Sequence, residues 1–223
     1  TATINNNVAN NNNNNNNIKL INNHVLFGEL KKALANNTRY RSLYSASNSW
    51  LRDNINKLLD KNKKISGISP YSFVNNSTPA SSPEPGNLYM FLYDAKTKER
   101  LPYWDKFPIA LYIQPADGGF LGINFHYLSP MVRASLFDEL LSVASVNEIN
   151  KNTKMKLTYS VIDNFSRKNN LIKFCLKRYL IQYFRSNVIL IEPADWKLAL
   201  FLPFETFQKA SAQDVWKDSG SYK

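Results

Sequence analysis

Asparagine constrains this chain before anything else does. Of 223 residues 30 are Asn, and 13 of these fall within the first 23 positions. Such a segment has almost no apolar surface to bury, and Asn competes for its own backbone instead of propagating a helix. Residues 1–23 are therefore expected to form an extended arm. Two readings of it stay open: ordering against a neighbouring chain, or folding back on its own domain.

The core must come from the remaining 200 residues. Hydrophobic residues make up 43% and aromatics 13%, enough for one packed domain of ordinary size. With 7 Gly, roughly half the usual share of about 7%, Gly-rich phosphate loops and Gly-punctuated repeats are disfavoured. Cys175 is the single cysteine, which excludes an internal disulfide and a cysteine-built zinc site. The apolar runs 188–191 and 198–202 fall far short of the ~20 residues of a membrane span, so no membrane insertion is expected. The opening lacks the basic and apolar regions of a signal peptide, and a reduced protein made in the cytoplasm is expected.

Periodicity divides the rest. Leu26, Phe27, Leu30 and Leu34 recur at helical spacing, as do Trp50, Leu51, Ile55, Leu58 and Leu59, with Asn48 or Ser49 as a cap for the second helix. Four prolines, six serines and two glycines mark residues 65–87 as a linker. Strands are expected over 88–93, 107–113 and 120–127, with a hairpin at Asp117-Gly118. Pro130 opens a helix. Residues 156–161 suit either a strand or a helix. Ile172, Cys175, Leu176, Tyr179, Leu180 and Tyr183 predict one long helix over 171–184. Residues 187–191 read as a strand, and Pro193 starts a further helix or strand. The expected fold class is α+β: a small antiparallel SH3-like β-barrel with flanking helices and an extended N-terminal arm. The expected divisions are arm 1–23, basic helical region 24–64, linker 65–87 and core domain 88–223.

Charge is the strongest chemical signal. The net charge is +11, while residues 31–64 carry +7 and residues 151–185 carry +8. Lys173, Lys177, Arg178 and Arg185 are the candidates for a phosphate-binding face. On a helix they form two stripes, Lys173/Lys177 and Arg178/Arg185, which equally suits a solvated surface. Acid-x-Lys triplets of the metal-nuclease kind occur at Asp195-Trp196-Lys197, Glu29-Leu30-Lys31 and Asp94-Ala95-Lys96. About two are expected by chance, so they carry no argument. His24 and His126 are the only histidines, too few for most metal clusters or acid–base schemes. No catalytic, metal or cofactor site is expected. Ten aromatics between Tyr89 and Tyr127 exceed what a small barrel holds, which points to Tyr93, Tyr103, Trp104 and Trp216 as subunit-contact anchors.

Leu88-Tyr-Met-Phe-Leu-Tyr-Asp-Ala-Lys-Thr-Lys98, Leu101-Pro-Tyr-Trp-Asp-Lys-Phe-Pro108 and Gly119-Phe-Leu-Gly-Ile-Asn-Phe-His-Tyr-Leu128 resemble a family encoded by large contractile-tailed, T-even-like bacteriophages. Lys177-Arg-Tyr-Leu180, Ala194-Asp-Trp-Lys197, Leu202-Pro-Phe-Glu-Thr-Phe207 and Val215-Trp-Lys-Asp-Ser219 extend the likeness, so that it spans about 86–219. It implies a virion or assembly protein. The main expectation is thus a structural component of tail, baseplate or neck, bound to other virion proteins in a symmetric ring, its arm ordered on assembly. The alternative is a non-specific nucleic-acid-binding phage protein that contacts DNA through the 151–185 face.

Overall fold

The computed structural model describes residues 25–39, 41–42, 44–49, 83–144, 150–168, 170–200 and 205–221. The arm, His24, the Trp50–Leu59 helix and most of the linker lie outside these residues.

The centre is a five-stranded antiparallel sheet. Its strands are β1 (Leu88–Met90), β3 (Ile109–Ala116), β4 (Gly119–Asn124), β5 (Leu176–Leu180) and β6 (Ile189–Ile191), ordered β5-β4-β3-β1-β6. A separate pair joins β2 (Trp104–Asp105) to β7 (Phe207–Gln208). With β5 and β6 at its two edges, the large sheet is open among the described residues. The α+β class stands, and the expected SH3-like barrel is corrected to an open antiparallel sheet. The reason lies in how the faces are covered: helices pack on one of them, so the sheet has no need to curl onto itself.

Leu88, Met90, Ile109, Leu111 and Ile123 point to that helical side and share a core with α1 (Val25–Ala35), α2 (Pro130–Ala144) and α5 (Trp196–Leu200). The two remaining long helices are α3 (Lys151–Lys168) and α6 (Ala212–Ser221), and the short α4 (Leu171–Cys175) leads into β5. Alternate residues face the other way. Tyr89, Phe91, Tyr112, Phe120 and Tyr179 make a second, aromatic core with Tyr93 and Phe184, covered by the 95–104 segment. Its rings meet mostly edge to face, as Phe91 does on Tyr179 at 5.1 Å. Eight of the ten aromatics from Tyr89 to Tyr127 are buried, so the supposed surplus is consumed within the chain.

The hairpin forms as its sequence predicts, with Gly118 at φ 68° in the turn. The next residue has a different task. A Cβ on Gly119 would stand 1.8 Å from the Tyr179 carbonyl oxygen, so glycine is what lets β5 close on β4. The long helix expected over 171–184 does not exist. It stops at Cys175, continues as β5 and ends in a 3₁₀ turn, Ile181–Tyr183. The pairing of Phe120 with Tyr179 and of Gly122 with Lys177 overrides the helical periodicity. Residues 156–161 lie inside α3, and Ser49 lies inside helical residues 44–49 rather than at a helix start. Among the described residues, no helix is long and apolar enough to cross a membrane.

The start of α1 is held from a distance. The Leu26 and Phe27 amides donate to the two oxygens of Asp138 on α2, at 3.0 and 2.9 Å. One buried carboxylate thereby satisfies two of the four orphan N–H groups of the helix. Asp138→Ala should release α1, with faster hydrogen exchange at Leu26 and Phe27 and a loss of about 1–2 kcal/mol in urea unfolding. Gly119→Ala should cost about 1–3 kcal/mol through overpacking, with the largest amide shift changes along β5.

Candidate nucleic-acid interface

Where β1 ends, residues 92–94 pass between two neighbours. The Leu92 carbonyl accepts from the Arg185 amide at 2.8 Å, and the Tyr93 amide donates to the Lys106 carbonyl at 2.9 Å. This threading opens a cleft of about 370 Å³ lined by Leu92, Tyr93, Asp94, Lys98, Trp104, Lys106, Arg185 and Gln208. Three cations face one carboxylate, so the lining carries a net +2.

The cations are pre-positioned. Lys98 Nζ donates to both Asp94 oxygens at 3.0 and 3.1 Å, and an Arg185 Nη donates to Asp94 at 3.3 Å. The other Nη of Arg185 donates to the carbonyls of Gln182 and Phe184. The hydrogen bond from Lys98, with Arg185 adding to it, holds the Asp94 carboxyl below its ordinary range. Lys98 and Arg185 keep 41% and 49% of their side chains exposed, so solution anions have access to them.

Lys98 rides on a turn that Lys209 fastens. Lys209 Nζ donates to the carbonyls of Lys98, Glu99 and Leu101 at 2.8, 3.3 and 3.2 Å. The same ammonium lies 5.5 Å from the Trp104 ring centre. Lys209 does this from a left-handed backbone, φ 69°, which a non-glycine residue adopts at some cost.

Under Trp104 lies a buried polar frame. Asp105 accepts from the Phe107 amide at 3.0 Å and the Asn124 amide group at 3.0 Å, and it pairs with His126 Nδ1 at 2.7 Å. Burial pushes the Asp105 carboxyl up, but His126 and these hydrogen bonds outweigh it, and the net shift is downward. The frame ties β2 to β4 and to the 3₁₀ turn Phe125–Tyr127. Trp216 adds a hydrogen bond to the His126 carbonyl at 2.9 Å.

The residues singled out from sequence separate. Arg185, Trp104 and Tyr93 meet at the cleft, with Tyr93 otherwise buried. Tyr103 packs beside Tyr127, Phe174 and Phe207, where burial and Asp218 push its hydroxyl up to about 12. Lys177 lies over the Tyr127 ring, 4.1 Å from its centre, and burial pulls its ammonium down. Arg178 turns back to Asp117 in the hairpin, and Lys173 is exposed on α4. Residues 151–185 thus form two helices, a strand and a 3₁₀ turn rather than a single basic face.

Lys98, Lys106 and Lys209 were not legible as one group from charge totals. The usable signal was local: Lys98 and Lys106 flank Tyr103-Trp104 in the chain. Among the described residues, no three of His, Cys, Asp and Glu come together as a metal-binding group.

The cleft thus brings three cations and the Trp104 indole together at the margin of an antiparallel α+β fold. The chain belongs to the phage T4 terminal DNA protecting protein family, whose model matches residues 1–219. The match reaches the arm and the basic helical region, beyond the 86–219 expected from resemblance. No curated protein and no solved structure matches the chain. The phage origin stands, but the expectation of a tail, baseplate or neck component in a ring of virion proteins is overturned by this family. Of the four aromatics assigned to subunit contacts, Tyr93 is buried within the chain, while Tyr103, Trp104 and Trp216 are half-buried.

The buried frame has a pH signature. The Asp105 carboxyl sits below its ordinary 3.8 in the folded protein, so its stabilisation is present above that value and fades as pH falls through the folded one. Asp105→Asn should therefore be less stable than wild type by roughly 3 kcal/mol at pH 7. The gap should narrow below pH 3.8 in urea titrations run across that range.

Proposed function

We propose that this protein binds the ends of phage DNA and shields them, with the cleft around Trp104 as its principal contact. Family membership supports the activity, and the observation that carries the site is the meeting of Lys98, Lys106 and Arg185 beside Trp104. Lysine and arginine neutralise phosphates, and an accessible indole offers a stacking surface to any base. The reading needs no metal and no catalytic group, since covering an end denies access to it.

Arg185 is the member of the sequence-derived set Lys173, Lys177, Arg178 and Arg185 that this reading uses. Trp104 is the member used from Tyr93, Tyr103, Trp104 and Trp216. The test is binding to linear and to covalently closed duplex DNA over a salt series, together with protection of the linear form from an exonuclease. Linear DNA should bind more tightly and survive digestion. Lys98→Ala with Arg185→Ala should flatten the salt dependence by a log–log slope of about 2, near 0.9 per lost phosphate contact. Lys168→Ala with Lys173→Ala removes the same charge from exposed positions outside the cleft and should change binding less. Equal binding of closed and linear DNA, or equal loss from both pairs of substitutions, would overturn the reading.

A further inference from the structure

We infer that the cleft seats a terminal phosphomonoester, the phosphate group found at a cut DNA end and not within a continuous strand. The inference rests on the proposed DNA-end binding and specifies which chemical feature of the end is recognised.

Charge is the first argument. A phosphodiester within a strand carries a single negative charge, whereas a phosphomonoester carries about −1.5 to −2 at pH 7. The lining, with Lys98, Lys106 and Arg185 against Asp94, is net +2 and so matches the monoester. Asp94 sharpens this preference. It holds Lys98 and Arg185 at fixed positions while using part of their charge, so a singly charged group gains little by approaching.

Size is the second argument. A volume of about 370 Å³ lies at the small end of the range for ligand sites, about 300–1,000 Å³. It has room for about one nucleotide. Trp104 forms one wall and Gln208, its cross-strand partner, lies beside it. A terminal base can therefore stack on the indole while its phosphate reaches the cations. Lys209 holds the turn bearing Lys98 by three carbonyls, which keeps the phosphate subsite formed before any ligand arrives. Preorganisation of this kind favours discrimination over adaptable binding.

The test compares blunt duplexes of one sequence bearing a 5′-phosphate, a 3′-phosphate or hydroxyls only, with a closed circle of the same sequence as reference. A phosphorylated end should bind about tenfold more tightly than the hydroxyl end, and the two phosphorylated forms tell which strand terminus is seated. A nucleoside monophosphate should compete with the phosphorylated duplex, whereas the free nucleoside should not. Arg185→Met should abolish the preference for phosphate, so that phosphate- and hydroxyl-ended duplexes bind alike. Equal affinity for phosphate and hydroxyl ends, with the circle bound weakly, would overturn this inference and leave the DNA-end reading in place. A circle bound as tightly as any linear form would overturn both. The wild-type comparison decides the matter even if the Arg185 variant does not fold.

Discussion

The Asp105 carboxylate is the interaction on which this architecture turns. Burying a charge is expensive unless every acceptor site is answered, and here an amide N–H, the Asn124 side chain and the His126 imidazole answer it. Those three partners belong to the chain just past β2, to the end of β4 and to the 3₁₀ turn. One carboxylate therefore fixes the small β2–β7 pair against the main sheet. Arg133 performs the same service on the helical side, where its guanidinium binds the carbonyls of Phe125 and Leu128 and the Glu205 carboxylate. The segment leading into β7 is thus gripped as firmly as β2.

A sheet buried on both faces explains much of the composition. One face is aliphatic and meets helices; the other is aromatic and meets loops. Ten aromatics in one stretch suggested surfaces kept for other subunits, because a small barrel has one interior. An open sheet has two, and the second interior absorbs most of the rings. The same geometry places Trp104 at the margin of the aromatic core, packed enough to be fixed and open enough to line a cleft.

Legibility in the sequence followed the range of the determining interactions. The Asp117-Gly118 hairpin, β3, β4 and α2 depend on local patterning and were readable. Residues 171–184 were not, because Tyr179 is buried by Phe120 across the sheet and not by helical neighbours. The barrel failed for a similar reason: nothing in the strands announces that α1, more than 50 residues upstream of β1, covers one face. At the site, Arg185 and Trp104 were each readable as candidates for different tasks, and only the crossing at residues 92–94 joins them. The role assigned to the chain followed a partial resemblance rather than the basic charge, and the charge was the better guide.

Lys209 has a mechanical consequence. Its backbone belongs to the segment just after β7, and its ammonium grips the turn of residues 98–101, so a single side chain rivets two stretches of chain 110 positions apart. The strand bearing Gln208 and the turn bearing Lys98 then move as one jaw. Glycine would relieve the left-handed backbone at this position but would remove the rivet. The two walls of the cleft that carry Gln208 and Lys98 are therefore set by one side chain, and its loss would free each to move without the other.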